Sequence, residues 1–290
     1  MSWRVVITTM ISPVLLGFDA GLREAGHEPV ALLTMRDPGR MESTSELLAA
    51  APRDLSVLMP AKRRDIAPLL RSVEPDVVVC MGFPWKIPAD ALAVPAHGWL
   101  NGHPSLLPLH RGPTPVAWAI RSGDDEMGIT FHRMDAELDT GPIYAQRRIP
   151  FGEPEAPDDF FPKLGPIVGE ALAEALGKLA AGDEGTVQAD GSGSYETFFT
   201  AEDAWLDLSR PAAEVHRLIW AWRYGFILDG PNGALLETDG KTVRVLTASL
   251  TEVEGKPRVE CADAPLWIVE TEELSEEEAT QSSAPAASTR

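Results

Sequence analysis

Short β-branched runs alternate with apolar residues at helical spacing through the first half of the chain, and the two periods predict different elements. Val5 to Thr8, Pro29 to Thr34, Ser56 to Met59, Asp76 to Cys80 and Gly98 to Asn101 predict strands. The stretches between them predict helices. That rhythm is the signature of an α/β protein with a doubly wound, mostly parallel sheet. Ser12 as N-cap, Pro13 in the first helical place and Gly26 just past the end bracket a first helix from Pro13 to about Ala25. The run from Asp76 to Cys80 is nearly all valine, as suits a strand covered on both faces. It opens into Met81-Gly82-Phe83-Pro84-Trp85, at the kind of strand end where open sheets receive ligands.

Further along, an Ala- and Leu-rich pattern predicts a long helix from about Asp158 to Ala181 that closes a first domain over residues 1–182. Gly182, Gly185, Gly191 and Gly193, mixed with Asp and Ser, predict a linker over 183–200. Ser209-Arg210-Pro211 opens another helix, with Val215, Leu218 and Ile219 on one face. The runs Ala234 to Thr238 and Thr242 to Leu250 make a small, β-rich second domain over 201–270. Residues 271–290 are Glu, Ser, Ala, Thr and Pro with little bulky apolar matter, which predicts a disordered acidic tail.

Charge narrows the class of partner. Forty-four Asp and Glu face 25 Lys and Arg, a formal net charge of −19. Such a body repels phosphate backbones on average, so nucleic acid is disfavoured as a partner while a local patch such as Lys62-Arg63-Arg64 stays open to one. That patch reads first as a solvated face. Two cysteines, Cys80 and Cys261, build neither a disulfide framework nor a paired metal motif, and the remaining histidines show no zinc spacing. No apolar run reaches a membrane span and no leader is evident, so a cytoplasmic location without a membrane partner is expected.

The chemistry-bearing stretch runs from Leu100 to Ile143. Asn101 and His103 are two apart at a strand's end, so they point the same way and place an amide donor beside a titratable imidazole. Gly128 to Met134 predicts a further strand, followed by the loop Asp135-Ala136-Glu137-Leu138-Asp139-Thr140-Gly141. Asp139 can be carried back against His103 and hold its ring. His132 reads as a packed histidine or one that supports the site from behind rather than as a catalyst, Trp220, Trp222 and Tyr224 as core ahead of a cleft lining, and Arg111-Gly112 as either an anion contact or a turn anchor.

The string Asn101-Gly102-His103-Pro104-Ser105-Leu106-Leu107-Pro108, then Arg111-Gly112, then Gly128 through Ile143, resembles the folate-dependent formyltransferases. Ser209 to Ile219 resembles the opening of the β-rich, OB-like C-terminal domain of some of its members. The resemblance implies a Rossmann-like catalytic domain, 10-formyltetrahydrofolate as donor, a primary amine as acceptor and no metal. It sets the family's catalytic Asn, His and Asp on Asn101, His103 and Asp139. It also implies a pterin pocket between the loop Phe83, Pro84, Trp85, Lys86, Ile87 and the loop Asp135, Ala136, Glu137, Leu138, with Ser105, Leu106, Leu107 and Pro108 as a further wall. In that chemistry Asn101 and a protonated His103 donate to the oxyanion, and Asp139 steadies the imidazolium.

The acceptor is expected to be a small molecule, an amino sugar or a secondary-metabolite amine. Thr8-Thr9-Met10-Ile11-Ser12 lacks the glycine a phosphate cradle would want, and the segment after the second strand is short and mixed in charge rather than basic. Methionyl-tRNA is the alternative acceptor. A hydrolase that passes the formyl group to water is the second alternative, and an inactive folate-binding module the third.

Overall fold

The computed structural model describes residues 2–36, 43–150, 155–189, 191, 193–225, 232–238, 240–275 and 278. One sheet holds seven strands: β1 (Arg4–Thr8), β2 (Glu28–Leu33), β3 (Ser56–Leu58), β4 (Val77–Cys80), β5 (Trp99–His103), β6 (Glu126–Arg133) and β7 (Ile143–Pro150). They lie in the order β3-β2-β1-β4-β5-β6-β7. β3 to β5 pair in parallel, and β6 runs antiparallel to β5. The sheet is therefore mostly parallel, as the β-branched runs predict. Its strand order turns around beside β1, and the residues after β1 and β4 meet at that switch point, where Met10 N–H donates to the Gly82 carbonyl.

The helices are α1 (Ser12–Glu24), α2 (Thr44–Ala50), α3 (Ile66–Val73), α4 (Ala89–Leu92), α5 (Pro115–Ser122), α6 (Pro157–Ala180), α7 (Ala201–Ala204) and α8 (Ala212–Ala221). One side of the sheet is filled by Val6, Ala31, Leu33, Val78 and Trp99 against Ile66, Ala67 and Leu70 of α3 and Ala91 of α4. Trp99 is fully enclosed and its indole N–H donates to the Ala91 carbonyl at 3.1 Å, so its polar atom is satisfied. Phe18 of α1 meets Phe131 of β6 at 6.1 Å between ring centroids. Burying such side chains stabilises the fold by roughly 1.5–3 kcal/mol each.

Three sequence expectations shift. Ile11, in extended backbone and with no side-chain bond, is the N-cap of α1, so Ser12 is the first helical residue rather than the cap. β5 extends beyond Asn101 to His103 because β6 pairs with it that far, His103 opposite Thr130. β7 and two strands of the second sheet go unpredicted.

The chain forms two compact units. The first takes Met1–Arg111, Gly128–Ile149 and Phe161–Ser194; the second takes Gly112–Met127, Pro150–Phe160 and Tyr195–Arg290. In the first, part of the segment expected to be linker is built into the fold, Thr186 pairing with Ile143. In the second, β8 (Ala234–Thr238), β9 (Lys241–Ser249), β10 (Arg258–Glu260) and β11 (Pro265–Glu273) form an antiparallel, OB-like sheet ordered β10-β11-β9-β8. Its core includes Val215 and Ile219 of α8 and Trp222, whose ring meets Phe199 at 4.9 Å. The expected acidic tail begins too early, since Thr271 to Glu273 belong to β11; from 279 onward it lies outside the described residues.

Candidate active site

The site is assembled by strand register. Thr8 of β1 pairs with Cys80 of β4, Cys80 with Asn101 of β5, and Asn101 with His132 of β6. Residues paired across a ladder share a face, so these four form one row near the carboxyl ends of β1, β4 and β5. His103 follows two places after Asn101 on that face, opposite Thr130. The expectation that Asn101 and His103 point together rests on the same period of two.

Asp139 meets this row. Its Oδ1 lies 3.5 Å from Asn101 Nδ2, 3.7 Å from His103 Nδ1 and 3.5 Å from His132 Nε2. One carboxylate oxygen thus faces three nitrogens at a loose spacing of the sort that tightens when reacting groups arrive. Asn101 Nδ2 and His132 Nε2 are closer, at 3.1 Å. His132 Nδ1 stands 2.9 Å from the Arg133 carbonyl, which only accepts, so Nδ1 carries a proton. In the neutral ring Nε2 is then the acceptor, and Asn101 Nδ2 is its donor. Among the described residues the second Nδ2 proton meets Asp139 at 3.5 Å, and it is the one that can turn to a ligand.

His103 is fixed by the same logic. Its Nε2 stands 2.8 Å from the His110 carbonyl and must donate to it, which leaves Nδ1 turned toward Asp139. Burial lowers the imidazole pKa below its ordinary value, with the Asp139 charge and the His110 carbonyl pulling it partly back. Burial thus favours the uncharged ring. Desolvation outweighs the carboxylate, so the protonated His103 expected to donate to the oxyanion is disfavoured before the reaction begins. Cys80, in the same row, has its thiol pushed up to about 12 by burial and the Asp139 charge, so it offers no thiolate.

Asp139 sits on a loop that needs several ties. Its own φ is 59°, the left-handed region that a residue with a side chain rarely enters. Within the loop, Asp135 Oδ1 accepts from the Glu137 amide at 3.0 Å and the Thr140 hydroxyl at 2.9 Å. The loop's ends close through the Arg133 amide on the Pro142 carbonyl at 2.9 Å. Gly141 packs so tightly that a Cβ there would run into the Arg133 carbonyl oxygen. From outside, buried Gln188 donates through Nε2 to the carbonyls of Asp139 (2.9 Å) and Gly141 (2.8 Å). Arg111 in turn donates to Gln188 Oε1 from Nε and Nη2 at 3.2 and 2.8 Å. Of the two readings of Arg111, an anchoring role is what its contacts describe.

His132, read from the sequence as packed or supporting rather than catalytic, is buried with its Nε2 on the Asn101 amide. Sequence reasoning missed Gln188, which carries no local signal, being a lone glutamine in a Gly- and Asp-rich stretch.

The residues expected to wall a pterin pocket lie in three loops. Ile87 is buried, and Phe83 and Trp85 pack on the core cluster with ring centroids 6.0 Å apart, leaving Pro84 and Lys86 exposed. Lys86 Nζ lies 3.6 Å from Glu137 Oε2 and so bridges this loop to the Asp135, Ala136, Glu137, Leu138 loop, all four of whose residues are exposed. The third loop is rigid: Ser105 Oγ donates to the Leu109 carbonyl at 2.7 Å, and Thr130 Oγ1 donates to the Ser105 carbonyl at 2.7 Å. Leu107 N–H donates to Thr130 Oγ1 at 3.3 Å, while Leu106 packs on Gly128, whose Cβ position it overlaps, and Pro108 is half-buried. Among the described residues, no group of three His, Cys, Asp or Glu is placed to hold a metal ion, and no helix is long and apolar enough to cross a membrane.

The chain is similar to known proteins in both sequence and fold. The formyl transferase family profile matches residues 35–174. The methionyl-tRNA formyltransferase of Anaeromyxobacter dehalogenans (strain 2CP-1) is 34% identical over 238 residues, covering 78% of this chain and 73% of that protein. HypX from Aquifex aeolicus, solved in complex with tetrahydrofolic acid, superposes with a TM-score of 0.67 at 21% identity over 95% of this chain; the chain spans 45% of that longer protein. A sugar N-formyltransferase from a Shewanella species superposes with a TM-score of 0.64 at 19% identity, covering 87% of this chain and 99% of that one.

Proposed function

The chain belongs to the folate-dependent formyltransferase family, and on that premise we propose that it moves the formyl group of 10-formyltetrahydrofolate to the primary amine of methionyl-tRNA at Asn101, His103 and Asp139. The observation that carries the proposal is the convergence, on the family's motif, of an amide donor and an imidazole nitrogen that each lie within 3.7 Å of one carboxylate oxygen. The acceptor follows the curated relatives, which are methionyl-tRNA formyltransferases at 34% identity over most of their length. That departs from the small-molecule acceptor expected from charge.

The donor supplies an electrophilic formyl carbon and a nitrogen that leaves once protonated. Asn101 offers its second amide proton to the oxygen on which charge gathers, an interaction of about 2.7–4 kcal/mol in comparable acyl transfers. His103, uncharged and with Nε2 committed to the His110 carbonyl, takes at Nδ1 the proton that the attacking amine must lose. Asp139 steadies the imidazolium so formed, and the same proton returns to the departing nitrogen. His132 fixes the Asn101 amide from behind.

A small amine is the second reading, favoured by the net charge of −19, which opposes long-range approach of RNA. The test incubates the protein with 10-formyltetrahydrofolate and, separately, charged initiator methionyl-tRNA, amino sugars and amino acids, following tetrahydrofolate release by absorbance. Turnover with the charged tRNA is expected. Turnover only with a small amine overturns the acceptor, and equal turnover with no amine points to hydrolysis.

A further inference from the structure

The stretch 186–194, a linker by composition, touches two loops of the site through its described residues 186, 188, 193 and 194. Thr186 exchanges backbone hydrogen bonds with Ile143, 2.8 Å in each direction. Gln188 bonds the carbonyls on either side of Thr140, and Arg111 grips the Gln188 oxygen. At the far end, the Ser194 amide donates to the Pro108 carbonyl at 3.2 Å and the Arg111 amide to the Ser194 carbonyl at 3.2 Å. Ser194 Oγ accepts the His110 amide at 2.9 Å, and His110 supplies the carbonyl that fixes His103. Gly193, at φ 77°, lies so close to Pro108 that a Cβ would meet its carbonyl oxygen.

We propose that residues 186–189 together with 193 and 194 strap the catalytic groups in place, with Gln188 as the positioning residue for Asp139 and Ser194 as a lesser one for His103. Gln188 suits the task because it donates and accepts at once. Its Nε2 holds two carbonyls of a loop in which Asp139 is in the left-handed region, while Oε1 is held by the guanidinium of Arg111, which follows the His103 loop in the chain. Loss of the two donors leaves those carbonyls without that partner and lets Asp139 drift from its 3.7 Å station beside His103. This inference rests on the reading of Asp139 as a catalytic group.

Gln188→Glu separates positioning from packing. Glutamate keeps the shape and the Arg111 contact but turns an acceptor toward both carbonyls. The expected result is a fall in kcat of about 10–100-fold, as a displacement of about 1 Å in a reacting group produces, with the KM for the folate donor within about two-fold of wild type and the thermal midpoint retained. Gln188→Leu should lose as much kcat. Neither should reduce kcat further in an Asp139→Asn background. Amide exchange across 139–143 and 186–188 should quicken in both single variants, a readout independent of any acceptor. Wild-type kcat in Gln188→Glu, full additivity with Asp139→Asn, or unchanged exchange overturns the strap. A wild-type protein inactive with every acceptor strikes instead at the proposed function, and the exchange measurement still decides the strap.

Discussion

Asn101, His103 and His132 stand on paired strands, whereas Asp139 stands on a loop turned at φ 59° and tied by a side chain 49 residues further along. The strand-borne groups obtain their backbone placement from a ladder that the core already enforces, and contacts such as the His110 carbonyl on His103 set the final orientation of the side chains. The loop-borne group has no such lattice. Its position is the sum of the Asp135 bonds, the close seat of Gly141 and the Gln188 bridge. A register is hard to change without unfolding the sheet, while a tied loop can be loosened one bond at a time, which makes the two halves separable by experiment.

The strongest separation comes from the strand side. Asn101→Ala is expected to lower kcat by about 10²–10³ while the thermal midpoint stays near wild type, since the residue is only half-buried and its loss leaves the ladder in place; a midpoint collapse in thermal denaturation would show that the amide serves the fold instead. Next comes Gly141→Ala, whose methyl meets the Arg133 carbonyl oxygen and must push the loop aside. A loss of about 10²-fold in kcat is expected if that moves Asp139 by ~1 Å, and steady-state kinetics showing wild-type rates would mean the loop tolerates movement.

A subtler test uses pH. The His103 pKa is lowered from 6.5 in the folded protein. The native state thus binds fewer protons than the unfolded chain below that value, so the stability owed to neutral His103 is fully present above 6.5 and is lost as pH falls through the lowered pKa. The acid limb of kcat/KM should lie below 6.5 for the same reason. Asp139→Asn removes the charge that pulls the imidazole up, and should move the titration of His103 still lower, read by NMR of its ring protons. The smallest effect is expected from Lys86→Ala, which breaks an exposed ion pair to Glu137 and should leave the urea midpoint unchanged.

How much of this was written in the sequence follows the same division. The valine runs and the period of two located five of the parallel strands and aimed Asn101 and His103 together. His132 could be read as packed or supporting, but its partner stayed unnamed because that depends on which strand β6 joins, a fact of topology absent from any local window. β7, with Gln146, Arg147 and Arg148 in its middle, lacks a clear apolar alternation and went unread. Gln188 is the extreme case. Glycine and aspartate around it signalled a linker, and composition gives no notice that a flexible stretch will be fastened at both ends.

The thiol of Cys80 carries one practical consequence. Set at the centre of the row and pushed up to about 12, it is closed to alkylating reagents at neutral pH as long as the strands stay together. In a chain where Cys261 has been changed to serine, iodoacetamide labelling becomes a clock for sheet breathing, ticking only when β4 parts from its neighbours. Folate analogues that clasp the native state would slow that clock, and the degree of slowing would give their affinity without a single turnover.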